Sequence, residues 1–365
     1  MRNGGWRRTA TAVALVTTLV TGCGSSDGGG APGAGADGAF TGDPDVAVIT
    51  EDRTLLVTGK LVSDGTERLW LIGGDDLDLF QLEPSIEAPV ATLADTGTIV
   101  TSMAWAGDQI WVSTLQAGLA ETGSVVRVDP DRGEIVSSVE SPAVPSTLAP
   151  ADDAMWLTGS SRDHFTGALL RVDPGSDAVE VVETYDWGGT DLASSGDSLW
   201  YPSPVDPGID RFDIASRTTV TTIPLLSTTF DVAVLDGRVW ATQGGQDGRG
   251  AVVRIDPETN QVDGNVDLDA QPSDLAFAAG SLWILARPGG GSGTYTYDPS
   301  TTTTTAPPED RRTQLVRVDP DALEVTGAID LPYHASDLEV LGDTIWVFAS
   351  RTGDEPARLL KVEPA

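Results

Sequence analysis

Leu315-Val316-Arg317-Val318-Asp319-Pro320, followed by Ser336-Asp337-Leu338 and then Gly342-Asp343-Thr344-Ile345-Trp346-Val347, is the stretch on which the fold is read. It contains a short β-branched run stopped by Asp-Pro, a second short apolar run, and a third that starts after Gly and carries a Trp. Alternating short runs of this kind, punctuated by turn residues, describe β-strands joined by tight turns. Asp suits the first position of a type I turn and Pro fixes φ at the second, so Asp-Pro ends a strand for a stated reason.

The same elements recur along the chain. An apolar residue followed by Trp occurs at Leu69-Trp70, Ile110-Trp111, Met155-Trp156, Leu199-Trp200, Val239-Trp240, Leu282-Trp283 and Ile345-Trp346. The spacings are 41, 45, 44, 40, 43 and 63 residues. After each of them comes a turn landmark: Glu83-Pro84, Asp129-Pro130, Asp173-Pro174, Asp213-Ile214, Asp256-Pro257, Asp319-Pro320 and Glu363-Pro364. A period of about 40 to 45 residues built from short strands signals a propeller blade. The fold class expected is therefore all-β, a seven-bladed β-propeller of four-stranded antiparallel blades over residues 43–365. The long last spacing reflects a low-complexity insertion at 286–313, which contains three consecutive Gly and five consecutive Thr.

The strands can be placed within one period. Ala251–Ile255 reads as a third strand, Gln261–Leu268 as an outer one, Ser273–Phe277 as an inner one and Gly280–Leu285 as a second one. Val362-Glu363-Pro364 ends the last unit without a fourth strand, and Asp45–Thr50 is expected to supply it, closing the ring and removing its open edges. The seven Trp are expected to fill the wedges between blades. Arg127, Arg171, Arg211, Arg254, Arg317 and Lys361 each stand two residues before the turn acid, on one strand face, fit for an ion pair or for bracing the adjoining blade. Asp191, Asp231, Asp274 and Asp337 open inner strands, with Ser102 and Thr147 at equivalent points, where they can cap backbone N–H groups. A metal-binding ring is the sharper alternative for these acids. Small Ala104, Ala149, Ala193, Ala233 and Ala276 follow near the axis, and Glu339 breaks that series.

The first residues read as an address. Arg2, Arg7 and Arg8 precede a short apolar run that ends in Val20-Thr21-Gly22-Cys23. This resembles the bacterial lipobox, which implies that residues 1–22 are a lipoprotein signal peptide and that Cys23, the one Cys in the chain, is lipidated. The export route stays open between the general and twin-arginine pathways. Residues 23–42, rich in Gly, Ala, Ser and Asp, read as a flexible tether. The expected place is the outer face of the bacterial cytoplasmic membrane.

With 55 acidic and 22 basic residues the net charge is −33, which disfavours nucleic acid and anionic lipid surfaces. Removal of the leader takes away three Arg and no acid, giving −33 − 3 = −36. Such a chain favours cationic partners or divalent metals.

The unit from Leu315 to Val347 resembles the YVTN/NHL-type propellers and the virginiamycin B lyase-like group. Each Trp is followed by Leu, Val, Tyr, Ala or Ile, so the Trp-Asp step of WD40 repeats is absent. The lyase resemblance implies a Mg²⁺-assisted elimination that uses His and Glu on top-face loops. The candidates are His334, His164 and Glu339, with Mg²⁺ or Ca²⁺ as the ion that reading would require. Loops entering the inner strands offer Pro145, Trp187, Phe230, Gln271, Tyr333 and His334 as a ligand mouth. The leading expectation is a monomeric, membrane-anchored binding module for a cell-envelope protein or small molecule. The alternatives are a metal-assisted lyase or hydrolase and an assembly scaffold.

Overall fold

A computed structural model describes residues 43–55, 59–73, 77–83, 90–93, 98–116, 123–161, 166–186, 191–245, 248–288, 313–331, 333–349 and 357–365. Cys23, His164 and Trp187 lie outside these residues, as do the leader and tether.

The strands number 28 among the described residues and pair only antiparallel, as seven four-stranded sheets. After β1 (Ala47–Leu55), blade 1 is β2 (Gly59–Ser63), β3 (Leu69–Gly73), β4 (Asp78–Glu83) and β5 (Ala91–Thr92). Blade 2 is β6 (Thr98–Ala106), β7 (Gln109–Gln116), β8 (Gly123–Asp129) and β9 (Glu134–Ser141). Blade 3 is β10 (Val144–Ala151), β11 (Ala154–Ser160), β12 (Thr166–Val172) and β13 (Val179–Asp186). Blade 4 is β14 (Ala193–Ser195), β15 (Ser198–Pro202), β16 (Gly208–Asp213) and β17 (Thr218–Pro224). Blade 5 is β18 (Thr229–Leu235), β19 (Arg238–Gly244), β20 (Gly250–Asp256) and β21 (Gln261–Leu268). Blade 6 is β22 (Ala270–Ala278), β23 (Ser281–Pro288), β24 (Thr313–Asp319) and β25 (Glu324–Leu331). Blade 7 holds β26 (Ala335–Leu341), β27 (Thr344–Ala349) and β28 (Ala357–Pro364), and its outer strand is β1. The registers Ala47↔Pro364 through Leu55↔Ala357 join the two ends of the chain, which is the closure expected. The closing strand begins two residues later than the sequence reading placed it, because Asp43 turns the chain through the Val46 N–H to Asp43 carbonyl bond at 2.9 Å.

The insertion boundary shifts as well. Ala286, fully buried and paired with both Pro272 and Gln314, prolongs β23 to Pro288, and β24 already starts at Thr313. The segment set apart at 286–313 therefore narrows to 289–312, outside the described residues.

All seven Trp are core residues, none more than 3% exposed. Each sits on a blade's second strand, where an inner and a third strand flank it and the neighbouring sheet covers its face. Burial of an indole removes a large apolar area from water, so the seven rings carry much of the inter-blade stability.

The recurring cations work across strands more than along them. Arg127, Arg211, Arg254, Arg317 and Lys361 pair in register with the Trp of the next strand and lie over its ring, at 5.1, 5.1, 5.9, 5.8 and 5.7 Å from the centroid. Three then reach the turn between the third and outer strands of the following blade. Arg211 donates to Pro257 O and Asn260 Oδ1, both at 2.7 Å; Arg254 donates to Pro320 O; Arg127 pairs with Asp177. The same-strand ion pair is seen at Arg171–Asp173, 3.6 Å. Blade 1 has Gln81 opposite Trp70, and Arg68 replaces the missing cation by lying between Trp70 and Trp105, 4.9 and 5.1 Å from the two rings. Arg211→Ala would strand a turn carbonyl and uncover Trp200, at a cost of about 1.5–3 kcal/mol, readable as a lowered denaturant midpoint.

Candidate functional site

In every blade one residue of the inner strand pairs with the Trp: Val62, Ala104, Ala149, Ala193, Ala233, Ala276 and Glu339. Two residues earlier stand Lys60, Ser102, Thr147, Asp191, Asp231, Asp274 and Asp337. These seven form a ring around the axis, and four carboxyls meet one ammonium in it. Lys60 feels Asp337, Asp274 and Asp191, so groups from blades 1, 4, 6 and 7 converge on one space.

Most ring members have backbone work. Asp337 Oδ2 accepts from Leu61 N at 2.8 Å, Asp191 Oδ2 from Val232 N at 2.6 Å, and Ser102 Oγ from Leu148 N at 3.2 Å. In each case the N–H belongs to the next blade's inner strand, so the capping expected of these side chains runs between blades. Asp274 Oδ1 accepts from its own neighbour, Leu275 N, at 2.8 Å. Among the described residues no group of three or more His, Cys, Asp or Glu is arranged to hold a metal.

Two carboxyls of the ring are biased toward their neutral form. Burial raises Asp231 and Asp274 well above the ordinary carboxylate range. The negative charge of Asp191 adds to this for Asp231, and that of Asp337 for Asp274. Burial pushes Glu339 up to about 7. The Asp337 carboxylate, 3.5 Å from the Lys60 ammonium, holds Lys60 above the usual lysine range. Burial and mutual repulsion thus favour the neutral form of Asp231 and Asp274.

The upper face is formed by loops from outer to inner strands and from second to third strands, since antiparallel neighbours alternate direction. Three large apolar side chains are exposed there over blades 4 and 5: Leu226 (97%), Val205 (79%) and Phe230 (45%). They stand on a built support. Leu225 N donates to Pro207 O at 3.0 Å, tying the loop after β17 to the loop after β15. The Gln243 side-chain oxygen accepts from Leu226 N and Ser227 N at 3.0 and 3.1 Å when the amide is oriented to match its neighbours. Gly244 leaves room for the two side chains beside it: a Cβ there would stand 2.3 Å from Phe230 Cε2 and 2.9 Å from Gln271 Nε2. Phe230 and Gln271, both near the start of an inner strand, are thus brought together beside Gly244.

The other candidates go elsewhere. Tyr333 is taken up on blade 7, its hydroxyl 3.2 Å from Asp52 Oδ2 and its ring 4.8 Å beneath the Arg358 guanidinium. Pro145 is buried, its Cδ lying where a Cβ on Gly123 would be, so it packs a seam and does not line the mouth. His334 is half-buried at the entrance to β26, five residues before Glu339 in the same stretch. At strand rise that is a separation of about 16 Å, so the two are not brought together as an acid–base pair. Lys60, Leu226 and Val205 escaped the sequence reading: Lys60 breaks the acid-or-hydroxyl series at its recurring position, and Leu226 and Val205 stand at no recurring landmark.

No family model matches the chain, and no curated protein matches it. Solved structures do. A chain of a mitotic checkpoint complex aligns with TM-score 0.63 and 14% identity over 94% of this chain and 100% of its own. The β-propeller domain of Myceliophteria thermophila Cps50 (Swd1) aligns with TM-score 0.61 and 11% identity, over 87% and 99%. The WD40 propeller domain of Doa1 aligns with TM-score 0.56 and 12% identity, over 88% and 97%. These likenesses concern the fold, and they arise without the Trp-Asp step of WD40 repeats.

Proposed function

We propose that this protein is an exported, lipid-anchored propeller that binds a protein partner through its upper face over blades 4 and 5. The observation that carries the reading is Leu226, almost wholly exposed yet held in place by backbone bonds to Gln243. A solvated loop gains nothing from presenting Leu, Val and Phe together on a supported platform, whereas an interface core is made of such anchors. Asp206 adjoins Val205 and the whole chain carries −33, so the partner is one whose apolar anchors are bordered by Lys or Arg. Assembly on a propeller is supported by the similar chain solved within a mitotic checkpoint complex. Anchoring at Cys23 is supported by the lipobox-like Val20-Thr21-Gly22-Cys23, with the Gly- and Ala-rich residues 24–42 as a spacer. The YVTN/NHL-type and lyase-like resemblances stay with the scaffold, because the residues needed for elimination are not assembled among those described.

A photo-crosslinking side chain at Leu226, in cells bearing the full chain, is expected to trap one discrete species. The same group at Asp153, on the opposite face between β10 and β11, is expected to trap none. Leu226→Asp combined with Phe230→Ser should weaken capture of that species at least about tenfold. Equal trapping from both faces would discard the reading. For the anchor, Cys23→Ala should move the protein from the membrane fraction and abolish labelling by a radioactive fatty acid.

A further inference from the structure

The seam between blade 7 and blade 1 holds a hydroxyl with two acceptors. Ser63 Oγ lies 2.8 Å from Val340 O and 2.8 Å from Glu339 Oε1, and it also accepts from Gly65 N at 3.2 Å. A serine hydroxyl has one proton to donate. If it goes to the Val340 carbonyl, the contact to Glu339 needs a proton supplied by Glu339.

The molecule contains its own comparison. At the seam of blades 3 and 4, Ser194 Oγ donates to Pro150 O at 2.8 Å. Ser194 follows the Trp-paired Ala193 as Ser63 follows Val62, and Pro150 follows Ala149 as Val340 follows Glu339. Where the preceding residue is Ala, serine gives its proton to the carbonyl. Only at the blade 7 to blade 1 seam does a carboxyl stand in the place of Ala or Val.

We infer that Glu339 is held as a neutral carboxyl whose O–H donates to Ser63, forming a proton-dependent latch between the last blade and the first. The chain of bonds runs from Glu339 O–H to Ser63 Oγ and from Ser63 O–H to Val340 O. Burial of Glu339 and the nearby negative charge of Asp337 favour that state; the Ser63 hydroxyl, when it donates to the carboxylate, and the N–H groups of Val340 and Ser63 oppose it. The charged and titratable groups around it are Asp337 on its own strand, Lys60 on β2 and Asp274 on β22. Lys60 is committed to Asp337, so it leaves Glu339 without a counter-charge of its own. When Glu339 loses its proton, the carboxylate draws the Ser63 hydroxyl away from Val340 O and adds a second negative charge beside Asp337. The sign follows. A carboxyl raised to about 7 in the folded chain stabilises it fully below the unfolded carboxylate range and loses that contribution as pH rises through about 7.

The test uses the full-length protein with ¹³C-labelled Glu carboxyls. The signal missing from Glu339→Gln is expected to titrate near 7 in the native chain. The thermal midpoint of the native chain relative to Glu339→Gln should fall by several degrees between about pH 5.5 and about pH 8.5. Glu339→Ala, which recreates the blade 3 to blade 4 arrangement, should show the same flattened profile as Glu339→Gln. A Glu339 midpoint in the ordinary glutamate range, or parallel profiles for native and Glu339→Gln chains, overturns the inference. Should either variant fail to fold, the titration of the native signal decides.

Discussion

Removal of residues 43–55 is expected to abolish cooperative folding of the ring at ordinary temperature. These residues include β1, the outer strand of blade 7, and no other described segment can take its place. The loss would include the ladder from Ala47↔Pro364 to Leu55↔Ala357 and the buried side chains of Val46, Ala47 and Leu55. Val46 also reaches blade 6, since a Cβ on Gly327 would stand 2.3 Å from its Cγ2. Arg53 ties the strand to blade 1 through Glu83 at 2.8 Å and lies 5.1 Å from the Trp346 ring, while Asp52 pairs with Arg358 at 2.7 Å. Two buried aliphatic side chains alone account for about 3–6 kcal/mol, against a typical total of about 5–15 kcal/mol. An open ring would further expose the unpaired edge of β28, which invites association. The measurement is denaturant unfolding followed by tryptophan fluorescence, with the peptide 43–55 added back in trans. Ala47→Asp, which forces a charge into a fully buried site, should show a milder version of the same loss. An unchanged midpoint for both variants would mean that the ring does not depend on this closure.

Much of this architecture is legible because its signals are local. Trp after an apolar residue and an acid at the following turn each report a strand or its end within two residues, and seven repetitions make the period plain. The closing strand is legible too, since the last unit is one strand short. What escapes is whatever depends on the neighbouring blade. Arg254 and Asp256 are two residues apart, yet the Arg254 guanidinium goes to Trp240, Asp263 and Pro320 O. Asp337 caps Leu61, 276 residues away, a pairing that no spacing rule contains. Blade 1 is hardest to read because it departs from the pattern twice, with Gln81 in place of the strand cation and Lys60 where other blades have an acid or hydroxyl.

The candidate site shows the same division. Phe230 and Gln271, expected on the loops entering inner strands, lie near the start of β18 and β22 themselves, and both stand beside Gly244. Tyr333 follows the same rule by position, but the Arg358–Asp52 pair captures it. Leu226 was not legible, because exposure of an apolar loop residue depends on Gln243, which comes from a strand of the next blade. Glu339 stood out in sequence as a break in the Ala series. Its meaning needed Ser63 and the contrast with Ser194.

Trp283→Ala is expected to cost about 3–5 kcal/mol, among the largest losses available from one side chain. The ring is fully buried within a cluster that spans blades 6 and 7, including Leu338, Ile345, Val347 and Leu360. Its indole N–H donates to Ala278 O at 3.1 Å, so truncation also leaves a buried carbonyl without its donor. Trp240 allows the two contributions to be separated. It is equally buried, but its indole nitrogen has no acceptor among the described residues. Trp240→Phe therefore removes ring area together with a buried N–H that was costly to enclose, whereas Trp283→Phe removes ring area together with a made bond. Chemical denaturation should place Trp283→Phe about 1 kcal/mol below Trp240→Phe, with both above their Ala counterparts. If the two Phe variants were equal, burial alone would account for the recurring Trp, and the Ala278 bond would be incidental to it.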